Sequence, residues 1–114
     1  MQHSGEGYVY IFKIHEFCKI GISSDPKRRM KQVSTLSPYE VEKFYVSRLF
    51  ENPEDVERKM HSYFWKEREH GEWFKIPFNT AVEVLELYTK SFKTIDEGAR
   101  MRLAAERLAE ALGY

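Results

Sequence analysis

One cysteine, Cys18, occurs among the 114 residues of the chain. A lone thiol excludes an intramolecular disulfide framework and any metal site built from several cysteines, and it fits a reducing, cytoplasmic compartment. Cys18 itself reads as a small core residue. Net charge is missing too: eighteen basic and eighteen acidic side chains sum to zero, so the molecule as a whole carries no strong field toward nucleic acid or membrane. Any basic surface must be local. No apolar run approaches the ~20 residues of a membrane span, and the opening MQHSGEG lacks the charged-then-apolar order of a signal peptide. The expectation is a soluble cytoplasmic protein. The four histidines, His3, His15, His61 and His70, show no ligand-pair spacing, which argues against zinc. Internal repeats and low-complexity segments are absent as well.

What is present is enough apolar material, 42% of residues, for one modest core. Residues 8–14 and 17–23 are rich in β-branched and aromatic side chains with two-residue alternation, and they flank a short polar turn at His15-Glu16; they predict a β-hairpin. Asp25 and Pro26 then form a cap-then-proline signal for a short basic helix. After the turn-forming SPYE, residues 41–50 make the best third strand. Asn52-Pro53 repeats the helix signal, and Val56, Met60, Tyr63 and Phe64 space a central helix over 54–68. Gly71 breaks that helix ahead of a brief extended segment, and Asn79 is placed to cap a helix through Phe92. Thr94 and Glu97 suggest a capping box for a last helix whose apolar stripe is Met101, Ala104, Ala105, Leu108 and Leu112. The sum is an α+β fold: a small three-stranded antiparallel sheet flanked by helices, residues 1–78, with a helical extension, residues 79–114, packing on the same domain or on a dimer partner.

Three constellations have chemical potential. Lys27, Arg28, Arg29 and Lys31 put four cations into five residues at a helix start, which is either a phosphate-binding surface or a solvated helix face. Glu57 and His61 stand one helical turn apart, either as an exposed pair or as a carboxylate and an imidazole aimed into a cleft. A carboxylate of that kind suits Mg²⁺, which prefers oxygen ligands and keeps several waters. The third is GEWF, residues 71–74, whose two aromatics read as core and whose Glu72 is open to a role.

Taken in order, YVY at Tyr8 to Tyr10, KIG at Lys19 to Gly21, Arg28-Arg29, Glu57 with His61, and GEWF resemble the GIY-YIG nuclease superfamily, most nearly its compact phage-associated branch. That resemblance implies a phosphodiesterase, a DNA endonuclease using one divalent ion, Mg²⁺ or Mn²⁺. It further implies that Tyr10 orients or deprotonates the attacking water, that Arg29 stabilises charge on the phosphate, and that Glu57 holds the metal. Tyr8, Gly21 and Glu72 fall near the implied site, and Lys27, Arg28 and Lys31 would bind phosphate. Two positions depart from the better-known pattern. Lys19 stands where a second tyrosine is usual, and Gln32 and Val33 occupy the region of an expected histidine, for which His61 is the natural substitute. DNA is the implied partner, RNA the other nucleic acid to consider, and the last helix a route to a homodimer. The alternative is a catalytically inactive module of the same fold, an accessory factor of a phage or mobile element that binds nucleic acid or a host protein.

Overall fold

The computed structural model of the chain describes residues 5–36 and 40–113, without the side chains at 36, 99–101, 103 and 104. His3, most of the expected SPYE turn, and the Met101 and Ala104 side chains of the last apolar stripe lie outside the described residues. The hairpin forms as its alternation requires: β1 (Tyr8–Ile14) pairs antiparallel with β2 (Phe17–Ser23), setting Tyr10 opposite Gly21 and Phe12 opposite Lys19. His15 closes the turn with a left-handed backbone, φ 54°. On the other side of β1 lies β3 (Lys43–Val46), which is shorter than the expected 41–50. The chain leaves the ladder at Ser47, whose hydroxyl accepts from the Val9 amide at 3.0 Å and donates to the Arg48 carbonyl at 2.7 Å. A side chain that satisfies backbone groups in this way ends regular pairing.

The sheet has five strands among the described residues, not three. Beyond β2 lie β5 (Trp73–Phe74) and, outermost, β4 (Arg68–His70), in the order β3-β1-β2-β5-β4. Arg68, Glu69 and His70 are all exposed, so β4 has no alternating apolar face for a sequence pattern to reveal. Pairing with β5 around Gly71, φ 56°, makes it a strand, because that left-handed backbone suits glycine.

The basic helix α1 (Pro26–Leu36) starts as its cap signal requires, with the Arg28 amide donating to the Asp25 carboxylate at 3.2 Å. Helix α2 (Pro53–Tyr63) is shorter than expected, and a 3-10 turn over Trp65–Glu67 takes the chain into β4. Helix α3 (Phe78–Ser91) begins directly after Pro77, so Asn79 lies inside its first turn and does not cap it. Helix α4 (Glu97–Ala111) begins without the expected capping box, since Thr94 instead forms a bridge with Phe50. Among the described residues no helix is long and apolar enough to cross a membrane.

β1 is buried on both faces. Val9 and Ile11, on one face by two-residue alternation, join Cys18, Ile20, Phe50, Val56, Met60, Phe74, Ala81 and Leu85 in one core. Cys18 is part of this core; burial pushes its thiol up to about 11, and its Sγ donates to the Ile76 carbonyl at 3.4 Å. Tyr10 and Phe12 point to the opposite face, their rings stacked 4.2 Å apart. Both are fully buried.

Candidate active site

Tyr10 is a large phenol in the middle of the central strand, yet its hydroxyl has no hydrogen-bond partner of ordinary geometry. Directly opposite, a Cβ at position 21 would stand 2.6 Å from Cζ of that ring, closer still to the hydroxyl, and 3.1 Å from Oε1 of Glu72. Gly21 is therefore the residue that makes room for the phenol. Burial raises the Tyr10 pKa to about 12, the Glu72 and Glu57 charges push the same way, and the nearby Arg29 guanidinium opposes them. The phenol is neutral at physiological pH.

Glu57, on α2, supplies a second buried oxygen without a partner, its Oε2. Burial, then the adjacent Glu72 carboxylate, raises its pKa to about 7, while Lys19 pulls in the other direction. The two carboxylates approach closely enough for a proton on one to be shared with the other. Glu72 is also held by Lys19, whose Nζ donates to Oε1 at 2.9 Å, and the same ammonium lies 5.5 Å from the centre of the Trp73 ring. Its backbone is fixed too, because the Ile20 amide donates to the Glu72 carbonyl at 3.0 Å.

His61 lies beside this group and faces β2. Its Nε2 meets the Ile20 carbonyl at 2.9 Å, and its ring packs on Phe74 at 4.9 Å. A carbonyl only accepts, so Nε2 carries the proton and that nitrogen fastens α2 to the sheet. Lys19, Arg28, Arg29 and Lys31, with Gln32, line a groove of about 670 Å³, and Lys19 joins it to Glu72. Arg29 donates to Gln32 Oε1 at 3.3 Å, a hydrogen bond between residues one helical turn apart.

Tyr10, Lys19, Gly21, Arg29, Glu57 and Glu72 thus come together, with His61 at the edge and Arg28 and Lys31 in the groove. Two expected site residues stand elsewhere. Tyr8 donates its hydroxyl to the Glu97 carboxylate at the start of α4, and Lys27 is exposed outside the groove lining. The groove also contains Gln32, for which the Arg29–Gln32 spacing is the signal a sequence offers. The Lys19–Glu72 ion pair has no such signal at all, since its members are 53 positions apart.

Among the described residues no three His, Cys, Asp or Glu side chains cluster as a complete metal cage. The donors at hand are oxygens, two carboxylates beside a phenol, and hard divalent cations such as Mg²⁺ take this kind of incomplete set and keep waters in the remaining positions. The buried, unpartnered Oε2 of Glu57 fits such an ion.

Fold and site define a small α+β domain with a buried acid-and-phenol centre opening beside a cationic groove. The chain belongs to the T5orf172 domain family, which matches it over residues 7–89, a domain found in phage and mobile-element proteins. No curated protein and no solved structure matches the chain.

Proposed function

We propose that this T5orf172 domain is a GIY-YIG-type endonuclease that hydrolyses phosphodiester bonds in DNA with one divalent cation, Mg²⁺ or Mn²⁺. The observation that carries the reading is the pair of buried oxygens without partners, the Tyr10 hydroxyl and Glu57 Oε2, set beside a groove lined by four cations. Such orphaned groups are costly in a fold and are kept where a ligand completes them. Tyr10 of the first half-motif and Lys19 and Gly21 of the second lie in this one region, which adds to the support.

Glu57 would hold the cation, which when bound supplies Lewis acidity to a phosphate oxygen. Arg29 and Lys31 at the groove take the charged phosphate, and Arg29, next to the phenol, stabilises the charge that builds as the ester breaks. Tyr10, kept neutral by its surroundings, serves as a hydrogen-bonding group that holds the attacking water in line. The water oxygen forms a bond to phosphorus, one ester P–O bond breaks, and the proton that the water gives up ends on the leaving oxygen.

Supercoiled plasmid incubated with Mg²⁺ or Mn²⁺ tests this reading. Glu57→Ala and Arg29→Ala should each slow cleavage by about 10²-fold or more while the thermal melt stays cooperative. Cleavage unchanged in both variants would reject the assignment. The second reading, a non-cleaving binding module, draws on one observation: Lys19 commits its charge to Glu72 at a position where the better-known members carry a phenol. DNA binding with no divalent-dependent cleavage at all would favour it.

A further inference from the structure

Resting on the metal-dependent reading above, we infer that Glu72 is a second carboxylate ligand of the divalent cation, opposite Glu57, and that Lys19 holds it in place. The resemblance that points to Glu57 puts Glu72 near the implied site and leaves its role open, and it is geometry that supplies one. Glu72 immediately precedes β5, and the Ile20 amide fixes its backbone at 3.0 Å, which leaves the side chain little choice but the space over Gly21. There Oε1 lies 3.1 Å from where a Cβ on Gly21 would be, and Cζ of the Tyr10 ring lies 2.6 Å from that same point. Tyr10 and Glu72, from β1 and the β4–β5 hairpin, thus meet over a glycine, and Glu57 on α2 lies next to Glu72.

The Tyr10 hydroxyl and Glu57 Oε2 make no hydrogen bond of ordinary geometry, and the tyrosine is fully buried. Without a cation the two carboxyls can stand together only by sharing a proton, and Lys19 supplies one charge, on Oε1 of Glu72. Glu57, Glu72 and Lys19 together amount to one negative charge, as a lone carboxylate would, so the Lys19–Glu72 pair adds a second ligand without adding net charge. An additional carboxylate oxygen with fixed orientation raises affinity for a hard cation, because ligand number and rigidity set the dissociation constant.

The test is a titration of the full chain with Mn²⁺, in which the paramagnetic resonance of the free ion reports what remains unbound. The native protein should take up one Mn²⁺. Glu57→Gln and Glu72→Gln should each weaken that uptake about tenfold or more, the usual scale for loss of a metal-supporting group. Glu54→Gln, which removes a neighbouring charge on the first turn of α2, serves as the control and should change it little. Gln keeps the shape of the acid, and a retained thermal transition in each variant establishes that the fold persists. Glu72→Gln behaving like Glu54→Gln, or a native protein that takes up no Mn²⁺, would overturn the inference. The two readings separate: uptake through both acids without plasmid cleavage leaves the ligand assignment standing and removes the nuclease, whereas cleavage with Glu72 dispensable for uptake does the reverse.

Discussion

Gly21 and Tyr10 show how one missing methyl group shapes a site. Gly21→Ala would force a Cβ to 2.6 Å from Cζ of a ring that is wholly enclosed, so the phenol cannot swing aside cheaply. A stability loss of about 1–3 kcal/mol is expected from such overpacking, read as a lower midpoint in urea unfolding. Glu57 makes a second prediction at this scale, and its sign is opposite to that of most carboxylates. Its pKa is raised in the fold from 4.5 to about 7, so between those values the folded chain holds more protons than the unfolded one. The stability it allows is therefore fully present below about pH 4.5 and is lost as pH rises through 7. In the presence of a chelator, Glu57→Gln should flatten that decline and raise the melting temperature at pH 8; a variant with the same pH slope as the native chain would show that Glu57 is not the titrating group. Tyr10, Arg29 and Glu57 can be picked out from the sequence because each occupies a recognisable place in a spaced pattern. The partnership of Lys19 with Glu72 cannot, since only the closing of β5 onto β2 brings the two together.

At the scale of elements, the hairpin and the start of α1 are readable because local chemistry decides them: alternation for the strands, and the Asp25-Pro26 cap for the helix. The starts of α3 and α4 mislead for the opposite reason. Asn79 and Thr94 have the right side chains for caps, but Pro77 sets the entry to α3 and the bridge from Thr94 to Phe50 takes the second candidate away. Tertiary pairing overrides a local preference worth about 1 kcal/mol. Helix α1 also carries its own prediction. Arg28 and Lys31 line the groove without an ion pair to Glu57 or Glu72, so Arg28→Ala with Lys31→Ala should weaken DNA binding and reduce its dependence on salt, by about 0.9 in log-log slope for each phosphate that is no longer neutralised. Titration of labelled duplex across a salt series measures that slope. An unchanged slope would mean that nucleic acid lies elsewhere.

For the whole molecule, the neutral total charge hides a strongly uneven distribution, with the cations of α1 gathered on one side of a domain whose pI is about 6.9. Helix α4 leaves Leu108 and Leu112 exposed. A second copy covering them would supply the second site that cutting both strands of a duplex requires, and in that case Leu108→Glu with Leu112→Glu should turn a concentration-dependent mass in sedimentation into that of a monomer. A native chain that sediments as a monomer at every concentration would dismiss the arrangement. The amide and carbonyl of Ile20, meanwhile, are committed to Glu72 and to His61, so a single residue of β2 ties the outer hairpin and α2 to the sheet at once. Neither the carboxylate on the helix nor the one before β5 can drift alone; the acids keep their spacing as the jaws of a clamp do, with Ile20 as the rivet. Hydrogen exchange at its backbone amide accordingly gauges whether the segment that carries Glu72 stays docked on β2.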